Sequence, residues 1–263
     1  MAPAASDRPL LLQGCLNGSR SPADHPAVPV RPEELAAAAS DAVASGAAAL
    51  HVHQRDPDGV QTLAAESCAQ ALSAIRSACP GVPVGLTTGA WIEADPDRRL
   101  ELVGAWGVLP DYASVNLSEA GSVALIELLL ERGIGVEAGL WTVADAELLL
   151  ETGLADRCVR LLLEVMEPDA EDALAGVAAM ERLLDEAGCA TPQLQHGEGD
   201  TTWPVLVRAL ESGRDMRIGL EDTLELPDGR RAGGNGELVA AAVELARVAG
   251  RRLVSPPSGG GRP

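Results

Sequence analysis

The chain has 263 residues, 46% of them hydrophobic, which supports a sizeable core; α/β barrels commonly use about 200 to 250 residues as one domain. Its formal net charge of −19 argues against nucleic acid or an anionic membrane as a partner, because phosphate binding draws on clustered positive charge. All 20 basic residues are arginine, and a chain without lysine is excluded from Schiff-base aldolase chemistry, pyridoxal phosphate attachment and P-loop phosphate binding.

The opening stretch "MAPAASDRPLLLQGCLNG" has no positive segment ahead of its short apolar run, so it reads as the approach to a first strand rather than as a secretory signal. No apolar run approaches the roughly 18 residues of a membrane-spanning helix. These features predict a cytoplasmic protein. Strands are predicted at 10–17, 48–53, 82–88, 112–117, 134–141, 158–165, 192–198 and 216–222. Alanine- and leucine-rich helical segments lie between them. In "RPEELAAAASDAVASG" Pro32 suits a first turn and Gly46 a C-terminal cap, and "GSVALIELLLERG" ends the same way at Gly133. About eight such β–α units predict a parallel (β/α)8 TIM barrel as a single domain over residues 1–254. The glycine- and proline-dense tail, 255–263, is expected to be disordered. An open dinucleotide-binding sheet is disfavoured, since "GCLNGS" after the first strand is not GxGxxG. The five cysteines are scattered and form no CxxC pair, so neither a disulfide framework nor a thiolate zinc site is indicated.

In such a barrel the chemistry sits at the C-terminal ends of the strands, and polar residues interrupt the apolar runs there. They are Asn17, His51 and His53, Thr87 and Thr88, Asn116, Glu137, Glu164, His196 and Glu198, and Glu221 with Asp222. Residues i and i+2 of a strand share a face, so His51 and His53 point together into the mouth, a spacing suited to one divalent ion. The same pair also fits hydrogen-bonded or surface histidines. Glu221 or Asp222 is the candidate third ligand, because the last strand closes beside the first two; both also fit a loop pair that satisfies backbone amides. Arg55 and Asp56 fit an ion pair as well as site residues. Thr87 and Thr88 before Gly89 suit either anion binding or a turn, Glu137 and Trp141 either a pocket wall or a buried strand, and His196 with Glu198 either a site role or a structural hydrogen bond.

Taken in order, "LNGSR", "HPAVPVRPEELA", "GAAALHVHQRDPDG", "TTG" and "RIGLEDTLELPDGRRAGGNGELV" resemble the β-keto acid cleavage enzyme family over about residues 10–247. The resemblance implies a TIM barrel with Zn2+ or another divalent metal, exchanging a β-keto acid with the co-substrate acetyl-CoA to give acetoacetate and a new CoA thioester. It implies that His51, His53 and Glu221 hold the metal and that Asp222 is the general base. Arg217 would orient that base or contact substrate, Thr87 would place a hydroxyl at the substrate, and Asn17, Thr88, Asn116 and Glu137 are candidate substrate contacts. A characterised member has a carboxylate where this chain has Arg20, at a position that receives the amino end of its substrate; Arg20 therefore implies an anionic or polar substrate. Small molecules are the expected partners, and a homo-oligomer is expected from the fold. Two other readings are a metal-dependent hydrolase of the same fold, with the metal activating water, and a barrel that only binds.

Overall fold

A computed structural model describes residues 8–257. Eight parallel strands close into a barrel in chain order: β1 Leu12–Cys15, β2 Ala49–Val52, β3 Val84–Thr87, β4 Tyr112–Asn116, β5 Gly135–Leu140, β6 Arg160–Val165, β7 Gln193–Gly197 and β8 Asp215–Ile218. Around it run α1 Pro32–Ala44, α2 Ala65–Ala78, α3 Pro96–Gly104, α4 Ser122–Glu131, α5 Val143–Thr152, α6 Ala170–Glu186, α7 Thr202–Ser212 and α8 Asn235–Val248. This is the TIM barrel that the alternating pattern predicted. The tail expected to be disordered lies outside the described residues from 258 onward, as do residues 1–7.

The helices form for local reasons that the sequence displays. Pro32 opens α1, where its missing N–H costs nothing, and Glu34 reaches back to accept from the amides of Val30 and Arg31. Thr142 and Asp145 cap α5 reciprocally, and Asp95 and Asp169 accept from the first-turn amides of α3 and α6. Each helix turns an apolar face onto the barrel. In α7 that face is Val205, Leu206, Ala209 and Leu210, all buried, and each fully buried leucine or valine stabilises by about 1.5–3 kcal/mol.

The barrel interior is polar as well as apolar. Gln13 of β1 donates to the Tyr112 hydroxyl (2.9 Å) and to Glu137 Oε1 (2.7 Å), and Arg160 of β6 donates to the same carboxylate oxygen at 2.7 Å. Glu137, expected at the substrate, thus lies fully buried and engaged below the mouth. At the opposite end from the mouth, Leu10 pairs with Leu253: its amide donates to Arg252 O at 2.8 Å, and Val254 N donates to Leu10 O at 2.9 Å.

Strand β8 is shorter than expected. It ends at Ile218 because Gly219 passes so close to β1 that any Cβ there would overlap the Cys15 carbonyl oxygen. The chain then turns, with Asp222 N and Thr223 N donating to Gly219 O and Leu220 N donating to Asn235 Oδ1. Glu221 and Asp222 therefore sit in a turn, and the alternation of strand side chains does not separate them.

Candidate active site

The mouth encloses a cavity of about 230 Å³ whose walls include His51, His53, Thr87, Asn116, Glu221 and Asp222. His51 is the third residue of β2, and His53 follows the strand's last residue, so both imidazoles face inward as the two-residue period requires. Their rings meet edge to face with centroids 5.2 Å apart. The Nε2 atoms lie 3.7 Å (His51) and 3.5 Å (His53) from Glu221 Oε1. One donor atom from each of the three residues falls within 4.8 Å of the others, a group able to hold a metal ion. Burial draws the His51 pKa down to about 3, against the opposing pull of Glu221, so the ring is neutral and its lone pair available near pH 7.

The His53 ring is oriented by Gln61 and Trp91, which lie outside the quoted motifs. Its Nδ1 lies 2.7 Å from Gln61 Oε1, an oxygen that also accepts from the Trp91 indole N–H at 3.2 Å. The Gln61 amide group donates in turn to Ser19 Oγ at 3.2 Å. With the amide assigned this way, His53 Nδ1 carries the proton and Nε2 faces Glu221 as a lone pair. Trp91 stacks on the His53 ring, centroids 5.8 Å apart, and is itself half exposed at the rim.

Arg217, on β8, binds both carboxylates of the following turn. Its Nη2 donates to Glu221 Oε1 at 2.5 Å and to Asp222 Oδ1 at 2.8 Å, and its Nε donates to Asp222 Oδ1 at 3.1 Å. Burial would raise the Glu221 carboxyl, but Arg217 and the two histidines hold it well below its ordinary range. Glu221 Oε2 and Asp222 Oδ2 are both buried with no hydrogen-bond partner. The unpartnered Glu221 oxygen beside two imidazoles belongs to a donor set that a divalent cation would neutralise. The β1–α1 loop also closes on this turn: Gly18, at φ +55, packs against the Glu221 side chain, where a Cβ would crowd its Cγ.

The remaining predicted residues divide. Thr87 lines the cavity and accepts from Gly89 N at 3.3 Å, which leaves its hydroxyl proton free to donate. Asn116 lines it too, with its amide nitrogen donating to Glu119 Oε1 at 3.0 Å. Arg20 reaches the rim, donating to the carbonyls of Glu221 (3.3 Å) and Asp222 (3.4 Å), with Glu198 Oε1 3.9 Å away. Three others fall outside the cavity walls. Asn17 is buried and clamps the main chain of His53, accepting from its N at 2.9 Å and donating to its O at 2.8 Å. Thr88 donates to Ser114 O at 2.6 Å, and Glu137 is held by Gln13 and Arg160 beneath the site. Arg55 does not pair with Asp56: it donates to the carbonyls of Gly18, Arg20 and Gly59, while Asp56 accepts from the amides of Asp58 and Val60.

On the β6–β7 side, His196 lies between Asp222 (Nδ1 to Oδ1, 3.3 Å) and Glu164 (Nε2 to Oε2, 3.8 Å). Burial and Arg217 draw the His196 pKa down, but the two carboxylates outweigh them and leave it above its ordinary value. Burial would likewise raise Glu164, yet His196 and Arg217 hold its carboxyl down at about 2. Trp141 fixes Glu164 from the other side, its indole N–H donating to Oε2 at 3.2 Å. Gln61, Trp91 and Ser19 were not singled out in the sequence; the first two sit in loops with no periodicity to mark them.

The sequence matches the family described as beta-keto acid cleavage enzyme over residues 9–258. It is 27% identical to the 3-keto-5-aminohexanoate cleavage enzyme of Fusobacterium nucleatum subsp. nucleatum, over 94% of each chain. It is 25% identical to the 3-oxoadipate:acetyl-CoA acetyltransferase of Cupriavidus necator, over 88% of this chain and 86% of that one. Among solved structures, a binary complex of ObcA with oxaloacetate shares the fold at a TM-score of 0.70 and 17% identity; the match covers 88% of this chain and 66% of that longer one. Among the described residues, no helix is long and apolar enough to cross a membrane. With a family match that runs from the approach to β1 to beyond α8, the chain belongs to the β-keto acid cleavage enzyme family.

Proposed function

We propose that the protein is a divalent-metal-dependent enzyme that exchanges a β-keto acid with acetyl-CoA, giving acetoacetate and a new CoA thioester. The observation that carries this reading is the adjacency of two groups: the His51, His53 and Glu221 donor set, and the Asp222 carboxylate with one buried oxygen free. The Cupriavidus necator relative, whose name states an acetyl-CoA acetyltransferase acting on a β-keto acid, supports the acyl donor and the reaction type.

His51, His53 and Glu221 would hold the ion. When bound, a divalent metal supplies Lewis-acid polarisation of the substrate ketone. Asp222 Oδ2 is the atom to take the proton from the carbon between the two carbonyl groups. Arg217 fixes the orientation of Asp222 through two bonds to Oδ1. The Thr87 hydroxyl offers a donor to a substrate oxygen, and Asn116 forms part of the cavity wall. Arg20 brings a cation to the rim, which suits a substrate with a second anionic or polar group, as 3-oxoadipate has. No step requires an amine, in keeping with a chain that has none among its side chains.

The test is a screen of β-keto acids with purified, metal-loaded protein, following acetoacetate with and without acetyl-CoA. Turnover is expected only when the thioester is present. Equal consumption of keto acid without it would replace this reading with hydrolysis.

A further inference from the structure

We propose that His196 is a positioning residue for Asp222: it holds one carboxylate oxygen engaged and so leaves the other free for substrate, while Glu164 orients the His196 ring from the far side. This rests on the reading of Asp222 as the base. Glu164 and His196 are register partners across β6 and β7, and Asp222 lies in the turn that follows β8.

The main chain of Asp222 is fixed without help from any imidazole. Its carbonyl accepts from Gly199 N at 2.8 Å and from Thr202 Oγ1 at 3.2 Å, and its amide donates to Gly219 O at 3.0 Å. What these bonds leave undetermined is rotation of the carboxylate about the side chain. Arg217 engages Oδ1 from one side through Nε and Nη2. His196 Nδ1, 2% exposed as a residue, stands 3.3 Å from the same oxygen on the other. With Arg217 and His196 Nδ1 both set against Oδ1 alone, a half-turn of the carboxylate is unfavourable, so Oδ2 stays the unpartnered atom. The ring lies at ion-pair distance from both carboxylates but off the hydrogen-bond line to each, so its orientation depends on Glu164, which Trp141 anchors in turn. A doubly protonated ring has a donor for each carboxylate, Nδ1 toward Asp222 and Nε2 toward Glu164.

The experiment compares His196→Ala, His196→Asn and Glu164→Gln with wild type, all loaded with metal. It measures kcat and KM for the β-keto acid, metal content, and deuterium exchange at the carbon between the carbonyls, in the absence of acetyl-CoA and corrected for the spontaneous rate. In His196→Ala, kcat and the exchange rate are expected to fall about 10- to 100-fold, with KM within about threefold and metal content unchanged. His196→Asn, whose amide nitrogen can stand where Nδ1 stood, should recover most of that loss. Glu164→Gln should lower the exchange rate by a few-fold. A merely structural histidine would shift KM, metal content and rate together and would not be rescued by asparagine. An active wild type with His196→Ala within twofold in kcat, or with asparagine as poor as alanine, overturns the proposal alone. A wild type that turns over no β-keto acid overturns the functional reading, and this one with it.

Discussion

Gln61 sets the proton on His53. The 2.7 Å contact between Gln61 Oε1 and His53 Nδ1, with the same oxygen accepting from Trp91, allows one tautomer, and that tautomer turns its lone pair toward Glu221. A loop residue with no chemistry of its own thereby prepares a metal ligand.

Replacing Gln61 by leucine should therefore weaken metal binding while leaving the fold intact. The expected loss is about 10- to 100-fold in affinity, the range for residues that orient a ligating histidine. Competition with a chromophoric chelator measures it. Affinity equal to wild type would mean that His53 needs no such partner.

Metal itself should be countable. Wild type is expected to carry about one equivalent of divalent metal by elemental analysis and His51→Ala far less, since one of three ligand donors is gone. Ligand that binds only the folded state raises stability by mass action. Stripping wild type with a chelator should consequently lower its Tm, and restoring the ion should recover it, whereas His51→Ala should respond to neither treatment. Unchanged metal content in the variant would remove the ion from these residues.

Glu137→Ala separates a structural carboxylate from a substrate contact. Glu137 is fully buried and the Arg160 side chain 14% exposed, with 2.7 Å between them, and removing one partner of a buried pair typically costs about 3–5 kcal/mol. Urea unfolding should show a loss of that order. Near-wild-type stability combined with a raised KM would return Glu137 to the substrate.

The thiols give a pH prediction. Burial pushes Cys68 and Cys158 up to about 12, so at pH 8 only about one molecule in ten thousand has either as thiolate. Iodoacetamide at pH 8 should label native protein at the partly exposed Cys189 first and reach the other four cysteines only on unfolding. Because the folded pKa lies above the unfolded value of about 8.5, the folded state retains protons that the unfolded state releases. The associated stability is complete below about pH 8.5 and declines as pH rises toward 12. Fast native labelling of Cys68 or Cys158, or stability that rises over that range, would contradict the buried placement.

The barrel was legible because its signal is repeated: each apolar run followed by a capped helical segment points to the same closed sheet. His51 and His53 were legible as a pair, since a two-residue period fixes a shared face from spacing alone. Depth was not. Asn17, Thr88 and Glu137 are polar residues at or near strand ends, like those that line the cavity, and only the carbonyls and side chains they meet show that they serve the main chain or the interior. The end of β8 was hidden for a similar reason: "RIGLED" reads as a continuing strand until Cys15, from the other end of the chain, occupies the space beside Gly219. Gln61 and Trp91 lie in irregular segments, where position is set by tertiary contact and no period announces it.

The pairing of Leu10 with Leu253 has a practical side. It brings the first and last described segments together on the floor of the barrel, away from the rim where Arg20 and Trp91 stand. A reporter or surface tether attached beside Leu10 or Leu253 would lie on the face away from the entrance, so protein immobilised there should meet its small-molecule reactants as freely as protein in solution.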